Sequence, residues 1–129
     1  MNNQLKLLNM AQQAAANAHA PYSNFKVGAA ILTSNEKLYS GCNVENISYP
    51  IGTCAEEAAI AAMITDGEYL ISKILIYADS HTLITPCGAC RQRISEFADD
   101  NCLIILANKN GIKETHSINE LLPHRFKDF

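Results

Sequence analysis

Four residues constrain the fold of this chain more than any others. Cys54 and Glu56 stand in the run Thr53-Cys54-Ala55-Glu56, and Cys87 and Cys90 follow in Pro86-Cys87-Gly88-Ala89-Cys90. Three thiolates form the ligand set of a zinc site that keeps its fourth position open. Whatever fold the chain adopts must therefore bring position 54 against positions 87 and 90. A carboxylate beside such a site, not itself a ligand, is placed to move protons between water and a substrate.

Two plainer readings compete with this one. A lone C-x-x-C also serves as a redox motif, and buried free cysteines are common. The third cysteine with its glutamate, and the proline before Cys87, favour the metal. Thr53-x-x-Glu56 also matches a capping box, in which the glutamate only reaches back to its own helix start; the neighbouring ligand Cys54 favours a chemical role for Glu56. Cys42 and Cys102 lie among apolar neighbours in expected strands and read as core residues. His19, His81, His116 and His124 show no metal-binding spacing.

The chain of 129 residues, 48% hydrophobic, has the length of one domain and enough apolar content for a core, so residues 1–129 are read as a single domain. Ten basic against 13 acidic residues give a net charge of −3, with no stripe of Lys and Arg, which argues against a nucleic-acid binder. No secretory leader or membrane span is evident, and five cysteines, an odd number, are expected as thiols. A reducing cytoplasm is the expected compartment.

Hydrophobic periodicity predicts a helix over about residues 3–18, ended by Ala20-Pro21-Tyr22-Ser23-Asn24. Strands are expected at 27–33, 37–44, 71–78, 103–107 and 113–116, and helices at 55–64, 87–97 and 118–122. The order α-β-β-α-β-α-β-β-α implies an α/β fold with two successive strand–helix–strand crossovers. Running the same way, they place both helices on one face, with both helix starts beside the carboxyl ends of the strands. Both cysteine motifs lie at those starts. In the second, Thr85 is expected to cap the helix with Pro86 at its first position, leaving Cys87 and Cys90 on one face.

C-x-E…P-C-x-x-C is the all-cysteine form of the zinc-deaminase signature. The chain resembles the small, single-domain, homotetrameric cytidine deaminases from Ala20-Pro21-Tyr22-Ser23-Asn24-Phe25-Lys26-Val27-Gly28-Ala29-Ala30 to Glu120-Leu121-Leu122-Pro123. The most specific segments are Gly41-Cys42-Asn43-Val44-Glu45-Asn46, Cys54-Ala55-Glu56 and Pro86-Cys87-Gly88-Ala89-Cys90-Arg91-Gln92. The resemblance implies a three-layer α-β-α sandwich with a five-stranded mixed sheet, a Zn²⁺ cofactor on Cys54, Cys87 and Cys90, and Glu56 as proton shuttle. It further implies Asn43 and Glu45 on the ribose hydroxyls, Ala55 among the substrate-binding residues and Phe25 lining the pyrimidine pocket. Phe126 would be laid over the base by a neighbouring subunit. The implied reaction is deamination of cytidine and deoxycytidine.

Other readings stay open at the level of sequence. A related enzyme would act on another aminated base or nucleoside (a blasticidin-type antibiotic, guanine or cytosine), and the Asn43/Glu45 pair speaks for a nucleoside. Without the resemblance, that pair reads as a turn asparagine and a solvated glutamate. A structural zinc module would need a fourth ligand, for which Cys42 or Cys102 would have to serve. One residue departs from the family pattern: Glu57 stands where arginine is frequent. A second carboxylate near three thiolates is unfavourable, so Glu57 is expected to turn outward towards Arg91 or Arg93.

Overall fold

The computed structural model describes residues 3–129. The elements run α1 (Gln4–Ala16), β1 (Val27–Thr33), β2 (Leu38–Cys42), a 3₁₀ turn (Tyr49–Ile51), α2 (Ala55–Thr65), β3 (Ile71–Ala78), α3 (Gly88–Glu96), β4 (Ala98–Asn108), β5 (Gly111–His116) and α4 (Ile118–Leu121). The five strands form one sheet in the order β2-β1-β3-β4-β5. β1 is antiparallel to both its neighbours, β3 and β4 are parallel, and β5 returns antiparallel. The sheet is therefore mixed, as expected.

Helices cover both faces. Leu7, Ala11 and Ala15 recur every fourth residue along α1 and pack on Ala30, Leu32, Leu75, Tyr77, Ile105 and Ala107. Side chains alternate across a strand, so Ala29, Ile31, Ile74, Ile76, Ile104 and Leu106 face the other way. There they meet Ala59, Ile60 and Met63 of α2, Ile94 of α3, and Ile118 and Leu121 of α4. β1 is buried along its whole length, which explains its run of small and apolar residues.

Strand direction sets the position of the two cysteine motifs. β2 and β3 both run against β1, so they point the same way, and β4 runs parallel to β3. α2 follows β2 and α3 follows β3, so both helices start at the same end of the sheet and on the same face. Close packing holds α2 there. A Cβ at Gly41 of β2 would lie 2.5 Å from the Ala59 nitrogen, so only glycine lets the helix approach this far. Gly28 does the same for α1 on the opposite face.

One strand is longer than its apolar pattern suggests. β4 begins at Ala98 rather than 103, because pairing of Ala98 with Ile71 keeps the chain extended while Asp99, Asp100 and Asn101 face water. Its start is a matter of backbone pairing, with no apolar alternation to announce it.

The tight fit at Gly28 yields a test of this packing. An added Cβ would fall 1.9 Å from the Ala11 carbonyl oxygen, a backbone atom that cannot swing aside. Gly28→Ala is expected to lower stability by at least about 3 kcal/mol, read from the urea midpoint. Gly88→Ala, whose Cβ would meet nothing within 4 Å, should change it little.

Candidate active site

Each cysteine motif opens a helix, and in each the first cysteine is itself the cap. Cys54 and Cys87 have extended backbones (ψ 157° and 168°) and immediately precede α2 and α3. This corrects one sequence expectation, the cap of α3, and rules out the competing capping-box reading of Glu56. Thr85 does not cap α3, and Pro86 lies outside it; the Thr85 hydroxyl instead accepts a hydrogen bond from Arg91 at 2.9 Å. The capping box of α2 joins Cys54 to Glu57, not Thr53 to Glu56, and the Cys54 N–H donates to Glu57 Oε1 at 3.3 Å.

That register separates two adjacent glutamates. Glu57 is occupied at the helix start and ion-pairs with Arg93 at 3.5 Å, turned outward as expected. Glu56, one residue and about 100° around the helix, is only 5% exposed and lines the cleft with Cys54 and Cys87. Burial pushes its carboxyl above the ordinary carboxylate range, opposed by its own backbone N–H and by Arg93. A carboxyl raised in this way holds a proton more readily than an ordinary one, which favours a role in proton exchange.

The three sulfurs of Cys54, Cys87 and Cys90 lie within 4.8 Å of one another. Tetrahedral zinc–thiolate bonds of about 2.3 Å require sulfurs about 3.8 Å apart, so small side-chain adjustments close this set on a zinc ion. Among the described residues no fourth cysteine, histidine or carboxylate joins the group. Cys102 is buried in the core, and Cys42 sits partly buried in β2. All five cysteines are thiols. The donor set would therefore fit an open zinc site with three protein ligands better than a closed structural one.

The helix starts also tune the thiols. Cys87 is held below the ordinary thiol value: burial alone would raise it, but the N–H groups of Cys90 and Ala89, with the Cys90 and Cys54 thiols, stabilise its thiolate. Cys54 and Cys90 are pushed up, chiefly by burial and also by neighbouring negative groups. A dication among them offsets that repulsion.

The cleft beside the sulfurs measures about 630 Å³, a size that suits a nucleoside. Asn43, Glu45, Ala55, Glu56, Cys54 and Cys87 all lie on its wall. Asn43 and Glu45 also brace the segment that closes one side. The Asn43 side chain accepts from the Val27 N–H at 2.9 Å and donates to the Phe25 carbonyl at 2.8 Å. Glu45 accepts from the N–H groups of Tyr22 and Ser23 at 3.0 and 3.1 Å and from the Ser23 hydroxyl. Those bonds hold Glu45 below the ordinary carboxylate range, the Ser23 hydroxyl contributing most.

Phe25 is not on the cleft wall; it packs, partly buried, against the core beneath α2. Phe126 also lies away from the cleft of its own chain. Its ring is exposed and stacks on Phe129 at 6.0 Å, while its carbonyl accepts from Gln92 at 3.0 Å. Sequence reasoning did not single out Tyr22, Ser23 and Tyr49, which lie at the cleft with Tyr22 and Tyr49 edge-to-face at 5.7 Å. The break after the first helix was the available signal, since such a turn falls at the same sheet end as the helix starts. Among the described residues Arg91 pairs with no carboxylate; it ties the carbonyls of Pro86 and Leu121 to Thr85.

Comparison with known proteins agrees with this geometry. The sequence model of the cytidine and deoxycytidylate deaminase zinc-binding region matches residues 1–106. The chain is 38% identical to a cytidine deaminase of Sporosarcina psychrophila, over 94% of this chain and 89% of that one. It is 45% identical to a cytidine deaminase of Mycobacterium tuberculosis, over 90% and 84%. The crystal structure of a cytidine deaminase from Burkholderia pseudomallei superposes with a TM-score of 0.90 at 39% identity, covering 98% of this chain and all of the other. With its sheet order, paired helix starts and three-sulfur cluster, the chain belongs to the zinc-dependent cytidine and deoxycytidylate deaminase family.

Proposed function

We propose that this protein hydrolytically deaminates cytidine and deoxycytidine, giving uridine or deoxyuridine and ammonia. One observation carries the reading: a buried carboxylate, Glu56, and a cluster of three thiols share the wall of a nucleoside-sized cleft. Cys54, Cys87 and Cys90 hold the zinc. When bound, zinc supplies the Lewis acid that makes water a nucleophile at neutral pH.

The chain's own residues supply binding and proton transfer. Glu56 takes a proton from the attacking water and delivers it to the ring nitrogen beside C4. As the C4–O bond forms, Glu56 takes the second proton from the new hydroxyl and passes it to the amine, so that the C4–N bond breaks, C4 becomes a carbonyl and ammonia leaves. Ala55, in the first turn of α2, has a backbone N–H without an intrahelical acceptor and offers it to the pyrimidine. Asn43 and Glu45 bind the sugar hydroxyls with the hydrogen-bonding capacity left over from their bonds to the 22–27 segment.

Tyr22, Val44, Ile47, Tyr49 and Ile51 are large apolar or aromatic side chains left exposed around or near the cleft mouth. A patch of this kind supports association with further copies of the chain, and we assign it to a homotetramer in which Phe126 of a neighbouring subunit covers the base. Phe25 then shapes the pocket from behind, through the core. Residues 1–129 serve as one catalytic domain. Among the described residues no helix is long and apolar enough to cross a membrane, and a site built on thiols favours the reducing cytoplasm.

Incubation with cytidine, followed by ultraviolet absorbance and ammonia release, tests the activity directly. Glu56→Gln should retain zinc and fold but lose turnover by about a thousandfold or more. Near-normal turnover with zinc in place would show that Glu56 does not carry the protons. Cys87→Ala is expected to lose zinc by elemental analysis and to melt at lower temperature, since metal binding contributes to folding.

The sugar contacts have their own test. Asn43→Ala and Glu45→Ala should each reduce kcat/KM for cytidine by at least about tenfold, because binding energy from the sugar positions the base. Free cytosine should be a very poor substrate of the parent protein. Efficient turnover of cytosine would move the assignment to a free-base deaminase.

A further inference from the structure

Zinc loading creates a charge that the residues named so far do not balance. Binding to three thiols expels their protons and leaves an assembly of formal charge −1. A cation touching the sulfurs favours that loaded state. Among the described residues Arg93 makes such a contact: its guanidinium donates from Nη1 to Cys90 Sγ at 3.5 Å. It stands three residues after Cys90 along α3 and so shares its face. Arg91 is engaged by the Pro86 and Leu121 carbonyls and by Thr85.

The guanidinium is held in this position from the other helix. Nη2 of Arg93 pairs with Glu57 Oε2 at 3.5 Å, and Glu57 Oε1 accepts the Cys54 N–H at 3.3 Å. A continuous chain of contacts, Cys54–Glu57–Arg93–Cys90, thus joins the two helix starts. The planar fork of arginine is what allows one side chain to meet a sulfur and a carboxylate together.

We propose that Arg93, oriented by Glu57, is the charge-balancing residue of the metal centre, a positioning residue that stabilises the zinc-loaded three-thiolate site from α3. The proposal rests on Cys54, Cys87 and Cys90 being the zinc ligands. It differs from an ordinary ion pair in a checkable respect. A half-exposed Arg–Glu pair acting only as a tie between helices would be damaged equally from either side. In a charge-balancing role the cation matters and the glutamate only aims it.

Zinc retention decides the matter without reference to turnover. The zinc-loaded protein is titrated with a chromogenic chelator, and the concentration that removes half of the metal is recorded. Arg93→Leu should lower that concentration by about 10- to 100-fold, the usual effect of removing an outer partner of a metal site. Glu57→Gln breaks the same pair but keeps the cation, and should stay within about threefold of the parent. Arg93→Lys should recover part of the loss, and Glu57→Arg combined with Arg93→Leu should restore retention by supplying the cation from α2. Equal retention in the parent and Arg93→Leu overturns the proposal, as does equal loss in Arg93→Leu and Glu57→Gln. Should Arg93→Leu not fold, Arg93→Gln is compared with Arg93→Lys, and like retention in those two overturns it as well. A parent protein that takes up no zinc would instead remove the ligand assignment, a different failure.

Discussion

The convergence of two helix N-termini at one end of the sheet is the constraint on which the rest of this molecule depends. Two like dipole ends facing each other repel, and each exposes backbone N–H groups without partners. A cluster of thiolates between them relieves both difficulties, because anionic sulfur accepts from the N–H groups and offsets the positive ends. Cys54 and Cys87 cap their helices while turning their sulfurs towards Cys90. The same backbone geometry thereby ends a loop, starts a helix and aims a metal ligand. Parallel β3 and β4, with β2 running the same way, impose this meeting through topology alone.

Much of the architecture was legible in the sequence because the central strands β1 and β3 are covered on both faces. Val27–Thr33 and Ile71–Ala78 have the ends expected, since nearly every residue in them is apolar and the neighbouring turns are polar. Features set by pairing or by cap register were not legible. Ala98–Asn101 is strand because Ile71 lies beside it, a fact absent from its own composition. α2 starts where expected, but the cap of α3 was expected two residues early, at Thr85, since threonine is a better cap than cysteine by propensity and the cluster overrides that preference. The cysteines and Glu56 were legible from spacing. Arg93 was legible as a partner for Glu57, while its second contact, to Cys90, depends on how α2 and α3 cross and needed coordinates.

The 20–26 segment shows why binding residues are hard to assign from sequence type. Asn43 and Glu45 follow β2, where alternation would place both on one side, and they do share the cleft. Yet each already makes hydrogen bonds to the segment connecting α1 to β1. Asn43 keeps one unused amide hydrogen, and Glu45 accepts three bonds of roughly four that a carboxylate can take. The bracing bonds hold both side chains still before a ligand arrives, so less conformational freedom remains to be lost on binding. A residue that braces a loop in this way keeps spare hydrogen-bonding capacity for the sugar contacts proposed above.

The one-residue shift of the α2 cap has a chemical consequence larger than its energy. Were the box formed by Thr53 and Glu56, the carboxylate nearest the sulfurs would be held at its own helix start, with its oxygens turned to backbone N–H. Because Cys54 takes the cap, Glu57 satisfies the helix start and Glu56 rotates into the cleft, where burial keeps its carboxyl poised for proton exchange. Two identical side chains at adjacent positions acquire opposite duties from the helical turn between them. Glu57 faces outward to Arg93, in a screened environment where charge is easily tolerated, and Glu56 faces inward, where it is not. The identity of the capping residue, a cysteine of the three-sulfur cluster and no ordinary cap, therefore decides which glutamate faces the cleft.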